Sequence, residues 1–255
     1  MLKLRSLFII VCCYFLSSCV SKKEILYLQD VDAYATNQIT YTNAEIQPND
    51  ALRIDVSALN PGSAIPYNKP SNGEGGGGGL QLLQLEGYLV SEDLTINFPI
   101  LGVLSVKAKT TQEFALHLRQ LLETGGHLKS PTVDVRLLNA KVTILGEVND
   151  PGTYNFTEQN ISLLQAIGYA GDLTINGKRD DILVMRDELG VRQIAHIDLT
   201  SANWIESPYY FIKPNDVIVV NPNNPKVKTA GYIPSLPALL GVMTVSISLL
   251  ILLTN

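Results

Sequence analysis

The stretch "KVTILGEVNDPGTYNF", Lys141–Phe156, organises the second half of the chain. "KVTILGEV" reads as a strand, and "NDPGTY" as a turn leading into a short extended piece. Working outward, "NISLLQAIGYAG" predicts a short helix with Asn160 or Ser162 as its cap and Gly171 as its stop. "DILVMRD" and "VRQIAHIDL" read as two strands joined through Glu188 to Gly190, and "IKPNDVIVVNP" as the closing strand. One short helix among several strands is a small α+β unit.

The first half has the same character. In "IQPNDALRIDVSAL", Leu52, Ile54, Val56 and Ala58 alternate with Arg53, Asp55 and Ser57, the pattern of a half-buried strand entered through a Pro48-Asn49-Asp50 turn. Leu94, Ile96 and Phe98 alternate again, and Val103 to Val106 follows Gly102 as another strand. Thr110 and Glu113 have the spacing of a capping box. Phe114, Leu118, Leu121 and Leu122 then fall on one helical face, and Gly125-Gly126 ends the helix. "PTVDVRLL" is a further strand. A second "I-x-Pro-Asn-Asp" at 212–216 echoes the one at 46–50, which suggests one turn-into-strand device used twice. Between these elements, residues 59–86 carry three prolines and the run "NGEGGGGG" (Asn72–Gly79). The run lacks the Gly-Lys-Ser/Thr of a phosphate-binding loop and reads as a flexible connection.

Both ends are apolar. "MLKLRSLFIIVCCYFLSSCV" has a short basic start and an apolar run from Leu7 to Leu16, the proportions of a secretory signal. The cysteines are Cys12, Cys13 and Cys19, so removal of 1–18 would leave only Cys19, with no disulfide to support the fold. At the other end "LPALLGVMTVSISLLILLTN" (236–255) has no charge, and residues 233–253 are expected to form a transmembrane helix. On that helix Gly241, Thr244 and Ser248 share a narrow face that could line a pore or a helix interface.

Composition and side chains exclude several classes. The net charge of −5, with no basic run, argues against nucleic acid. His117, His127 and His196 show no metal-ligand spacing, and no metal or other cofactor is expected. The acidic pairs Glu92-Asp93, Asp180-Asp181 and Asp187-Glu188 sit at turns and strand ends, so no catalytic constellation is apparent and no enzyme is expected. The aromatics Trp204, Tyr209 and Tyr210 of "WIESPYYF" could stack on sugar rings or pack in a core or subunit interface.

Several of these pieces resemble the polysaccharide biosynthesis/export proteins, the Wza-type outer-membrane lipoproteins. "LSSC" at 16–19 resembles their lipobox. "YLVSEDLTINFPILGVLSVKAKTTQE" resembles the core of their export domain, with Leu94 and Ala108 where that pattern has glycines, which leaves the shape of the first turn open. "ILGEVNDPGTYNF" resembles the opening of a soluble-ligand-binding β-grasp (SLBB) domain through Gly146, Glu147, Val148, Pro151, Gly152 and Tyr154. "LLQAIGYAGDL", with Asp172 in place of a glycine, and "IKPNDVIVV" resemble the rest of that domain.

The resemblance implies an α+β chain. It would comprise a signal peptide (1–18), a lipidated tether (19–45) starting at Cys19, an export domain (46–139), one β-grasp domain (140–222) and the C-terminal helix (233–253). It further implies a homo-oligomeric ring in the outer membrane, anchored by acyl chains that include palmitate, which conducts capsular or extracellular polysaccharide. An inner-membrane polysaccharide copolymerase or tyrosine kinase would be its partner. A monomeric periplasm-facing lipoprotein that holds glycan, with an inert C-terminal anchor, is the alternative.

Overall fold

The computed structural model describes residues 22–34, 41–69, 87–188, 190–229 and 236–254. The signal region, Cys19 and the glycine run Asn72–Gly79 lie outside the described residues.

The first half is built on β1 (Ala51–Ser57), which pairs antiparallel with β2 (Tyr88–Leu89) on one side and, further along the chain, with Thr132–Leu137 on the other. The alternation in the sequence is what the sheet uses: Leu52, Ile54 and Val56 are buried while Arg53, Asp55 and Ser57 face out. Strands β3 (Thr95–Phe98) and β4 (Gly102–Ser105) form a separate antiparallel hairpin. Helix α1 (Thr111–Thr124) starts at a complete capping box: Thr110 Oγ1 accepts the Glu113 N–H, and the Glu113 carboxylate accepts the Thr110 N–H at 2.8 Å. Phe114, Leu118 and Leu122 are wholly buried on its inner face, and the helix packs on β5 (Thr132–Leu137). Each such side chain contributes about 1.5–3 kcal/mol by leaving water.

The second half holds β6 (Lys141–Gly146), β7 (Gly152–Asn155), β9 (Gly177–Glu188), β10 (Val191–Ile197) and β12 (Val217–Pro222) in a five-stranded sheet of order β10-β9-β12-β6-β7. The pair β6–β12 is parallel and the remaining pairs are antiparallel. The small pair β8 (Ile161–Ser162) and β11 (Phe211–Ile212) flanks helix α2 (Leu163–Tyr169). Ser162, rather than Asn160, is the helix cap, in a second capping box with Gln165. Two hydrophobic clusters result. One gathers Leu52, Ile96, Phe98, Phe114, Leu118 and Val135, the other Val142, Ile144, Leu163, Ile182, Trp204 and Ile218. Leu137 packs against both.

Three positions where the resembled pattern has glycine hold a side chain in the left-handed region. Leu94 (φ 58°), Ala108 (φ 52°) and Asp172 (φ 72°) all occupy the left-handed region that a glycine would take without strain. Each of these side chains holds that conformation at a local energetic cost. Gly146 cannot be replaced in this way. Its φ is +95°, and a Cβ there would stand 2.0 Å from the Val220 carbonyl oxygen across the parallel pair.

After β12 come a short helix, α3 (Asn224–Thr229), and the C-terminal helix α4 (Leu236–Thr254). The expected transmembrane helix at 233–253 needs correction, because among the described residues no helix is long and apolar enough to cross a membrane. Its 19 residues measure about 28 Å at 1.5 Å per residue, just short of a hydrocarbon core of about 30 Å. Pro237, Gly241, Thr244 and Ser248 also dilute its apolar character. It remains free of charge, with Leu240, Val245, Leu249 and Leu252 exposed.

Candidate functional site

The N-terminal segment does not run loose. Residues 27–30 lie along the second domain as a strap. The Leu28 and Gln29 N–H groups donate to the Leu199 and Thr200 carbonyls at 3.0 and 2.8 Å. Asp30 receives the Ala202 N–H at 2.5 Å and the Ser201 hydroxyl at 2.8 Å, and the Ser201 bond holds its carboxyl below the ordinary range. The Tyr27 hydroxyl donates to Asp172 at 2.6 Å, and the buried guanidinium of Arg179 sits 5.3 Å from its ring centroid. Burial, and then the Asp172 bond, push the Tyr27 phenol well above its usual value.

The C-terminal exit lies at the same end of the sheet. Pro222, at the close of β12, pairs with Gly177 at the opening of β9, two residues from Arg179. Beyond it the Asn223 N–H donates to the Asn176 carbonyl at 2.7 Å. Glu147 accepts the Thr174 hydroxyl at 2.9 Å and lies 3.8 Å from Lys226 of α3. The strap and the exit toward α4 thus meet around one segment, Asp172–Arg179, the loop into β9 and its first residues.

At the first-domain end of the sheet, the echo between 46–50 and 212–216 is a structural repeat. Asn49 and Asn215 are both left-handed, at φ 68° and 69°. In each turn the Asp N–H donates at 3.2 Å to the carbonyl at the start of the turn, Gln47 for Asp50 and Lys213 for Asp216. The Asp carboxylate accepts the N–H of that same residue, at 2.8 Å for Asp50 and 2.9 Å for Asp216. Asp216 is also gripped by Arg186 through Nε at 3.0 Å and Nη2 at 2.7 Å, with both residues almost fully buried. Arg186 further donates to the Pro208 and Phe211 carbonyls and lies under the Tyr209 ring, 4.9 Å from its centroid. Burial raises the Asp216 carboxyl, and Arg186 opposes the rise.

The side chains singled out from the sequence fall in different places. Cys19 is outside the described residues. Trp204 is 3% exposed inside the second core and stacks on Tyr210 at 5.8 Å, so it has no free face for a sugar. Tyr209 covers Arg186, and its hydroxyl reaches Gln193 at 3.3 Å. A partly exposed aromatic pair, Tyr41 stacked on Phe211 at 5.4 Å, continues from Tyr210. On α4 the hydroxyls of Thr244 and Ser248 bond back to their own helix: Thr244 Oγ1 donates to the Gly241 carbonyl and Ser248 Oγ to the Thr244 carbonyl, each at 2.8 Å. Both hydroxyls are thereby satisfied within the helix.

The histidines stay apart. His127 contacts the Tyr67 hydroxyl at 3.2 Å, and His196 contacts Asp181 at 2.6 Å. Among the described residues no group of three His, Cys, Asp or Glu could hold a metal ion. The strap and the Arg186–Asp216 pair escape a reading of the sequence, because their partners are distant in the chain. Only the repeated Pro-Asn-Asp signals the second.

Residues 39–138 match the polysaccharide biosynthesis/export protein family, and residues 141–194 match the SLBB domain. The two matches follow one another, so over residues 39–194 the chain is similar to the polysaccharide biosynthesis/export protein family. That is a family of export proteins, not of enzymes. Over 152 residues the chain is 26% identical to the EPS I polysaccharide export outer membrane protein EpsA of Ralstonia solanacearum, covering 58% of this chain and 39% of the relative. Over 108 residues it is 32% identical to the protein of the same description from Ralstonia nicotianae, covering 40% of this chain and 27% of the relative. The chain thus spans well under half the length of the curated relatives it matches.

Proposed function

We propose that the chain is an outer-membrane lipoprotein that assembles with copies of itself into a ring and conducts extracellular or capsular polysaccharide. The observation that carries this reading is the convergence of the strap and the C-terminal exit on the Asp172–Arg179 end of the second domain. Cys19 stands eight residues before Tyr27, at most about 28 Å of extended chain. The stretch from Thr229 to Leu236 adds at most about 25 Å on the other side. An acylated Cys19 and helix α4 would therefore approach the bilayer from the same end of the molecule, with the first domain pointing away into the periplasm.

Acylation of Cys19 would anchor the chain without help, because two or more acyl chains bind a membrane stably. Helix α4 is then available for assembly. A single helix encloses nothing, whereas closed cyclic symmetry lets identical copies bury their exposed apolar side chains against one another. Gly241 would permit close helix approach. Polysaccharide would pass through the ring passively, driven by an inner-membrane copolymerase. Removal of residues 233–255 tests the reading. It should leave folded periplasmic domains and abolish export, and normal export by that truncated chain would contradict the proposal.

A further inference from the structure

The two Pro-Asn-Asp turns share one geometry and differ in charge. Asp216 has Arg186. Asp50 is 4% exposed, and among the described residues it has no ion-pair partner, only the Gln47 N–H. The turns come together at a small cavity of about 30 Å³, lined by Glu45, Gln47 and Asp50 from the first and by Lys213 and Pro214 from the second, room for about one water. Strand β9 adds Asp187 and Glu188, whereas α1 and β5 contribute the uncharged Thr111 and Leu137. Among the described residues the one cation lining the cavity, Lys213, is held by Glu188 at 2.6 Å. Asp187 is held by Arg192 at 2.7 Å. Glu45 Oε2 is buried without a hydrogen-bond partner.

We propose that this seam between the two domains is a proton-controlled joint, closed while Asp50 is neutral and loosened when its carboxylate ionises beside Glu45. A buried carboxylate without a cation is costly in its charged form. Burial pushes the Asp50 carboxyl up to about 6, with the Gln47 N–H opposing. The neutral form costs little, so the seam stays dry at low pH. Ionisation is relieved by water entering the cavity, which parts the turns. This behaviour follows from the cavity alone and does not depend on what the protein exports.

The size of the effect comes from linkage. With a closed-state value of about 6 and an open-state value of about 3.9, opening should increase about tenfold between pH 5 and pH 7.5. Hydrogen exchange by mass spectrometry on the full detergent-solubilised chain reads this directly, with rates corrected for intrinsic pH dependence. Segments 44–52 and 211–218 should lose about tenfold protection over that interval in the native sequence. Asp50→Asn keeps an acceptor for the Gln47 N–H and should remain protected at both pH values. Glu188→Gln frees Lys213 to stabilise the ionised Asp50 and should move the transition to lower pH. A native transition smaller than about twofold, or one that persists in Asp50→Asn, would overturn the proposal. Should Asp50→Asn fail to fold, Glu188→Gln decides alone: a transition left in place or raised overturns it.

Discussion

Replacing Arg186 with Met tests the second domain at its most constrained point. The guanidinium satisfies Asp216 through three contacts of 2.7–3.2 Å and donates to two backbone carbonyls, with 3% of the residue exposed. Met fills much of the same volume. It leaves the Asp216 carboxylate buried with only the Lys213 N–H to bond it. Breaking one side of a buried pair costs about 3–5 kcal/mol, a large share of the 5–15 kcal/mol that holds a typical domain.

Trp204 provides the assay, because it is the sole tryptophan and lies in the same buried cluster. Urea unfolding followed by its fluorescence should show a midpoint lowered by about 1–3 M. The double change Arg186→Met with Asp216→Leu removes both charges and should recover most of the loss, leaving about 1 kcal/mol for the lost turn bond to Lys213. A single variant within about 1 kcal/mol of the native protein would show that the buried pair does not hold the domain together. So would a double variant as unstable as the single.

Three further outcomes follow from local geometry. Gly146→Ala should destabilise the second domain by about 3 kcal/mol or more, since its Cβ meets the Val220 carbonyl at 2.0 Å and φ is +95°; the Trp204 unfolding curve checks this. Ala108→Gly should stabilise the first domain by about 0.5 kcal/mol, since it relieves a left-handed alanine at φ 52° on an exposed position; a thermal scan checks it. Tyr27→Phe removes the bond to Asp172 and should release the strap by about 1 kcal/mol, read as roughly fivefold faster amide exchange over residues 25–32.

Much of the fold can be read from the sequence because its signals are local. Leu52, Ile54 and Val56 alternate within one strand, and Thr110 caps a helix through a residue three positions on. The left-handed Leu94 and Ala108 are not legible in the same way, because a side chain incompatible with easy positive φ carries no signal that the turn persists. The two-residue strands β8 and β11 are too short for periodicity to register. The candidate site is harder still. Tyr27 meets Asp172 across 145 positions, Asp30 meets Ser201 across 171, and Trp204 is indistinguishable from a surface aromatic until the strands close over it. The C-terminal segment looks long enough to span a bilayer when its length is counted in uncharged residues. Its helix is shorter and more interrupted than that count implies.

A closed ring of copies of this chain, with polymer passing through it, should be visible by imaging full-length particles extracted from the outer membrane in mild detergent. The particles should be closed rings with the second domains and the C-terminal helices at the membrane end. Particles of single-chain mass under every extraction condition would rule the ring out.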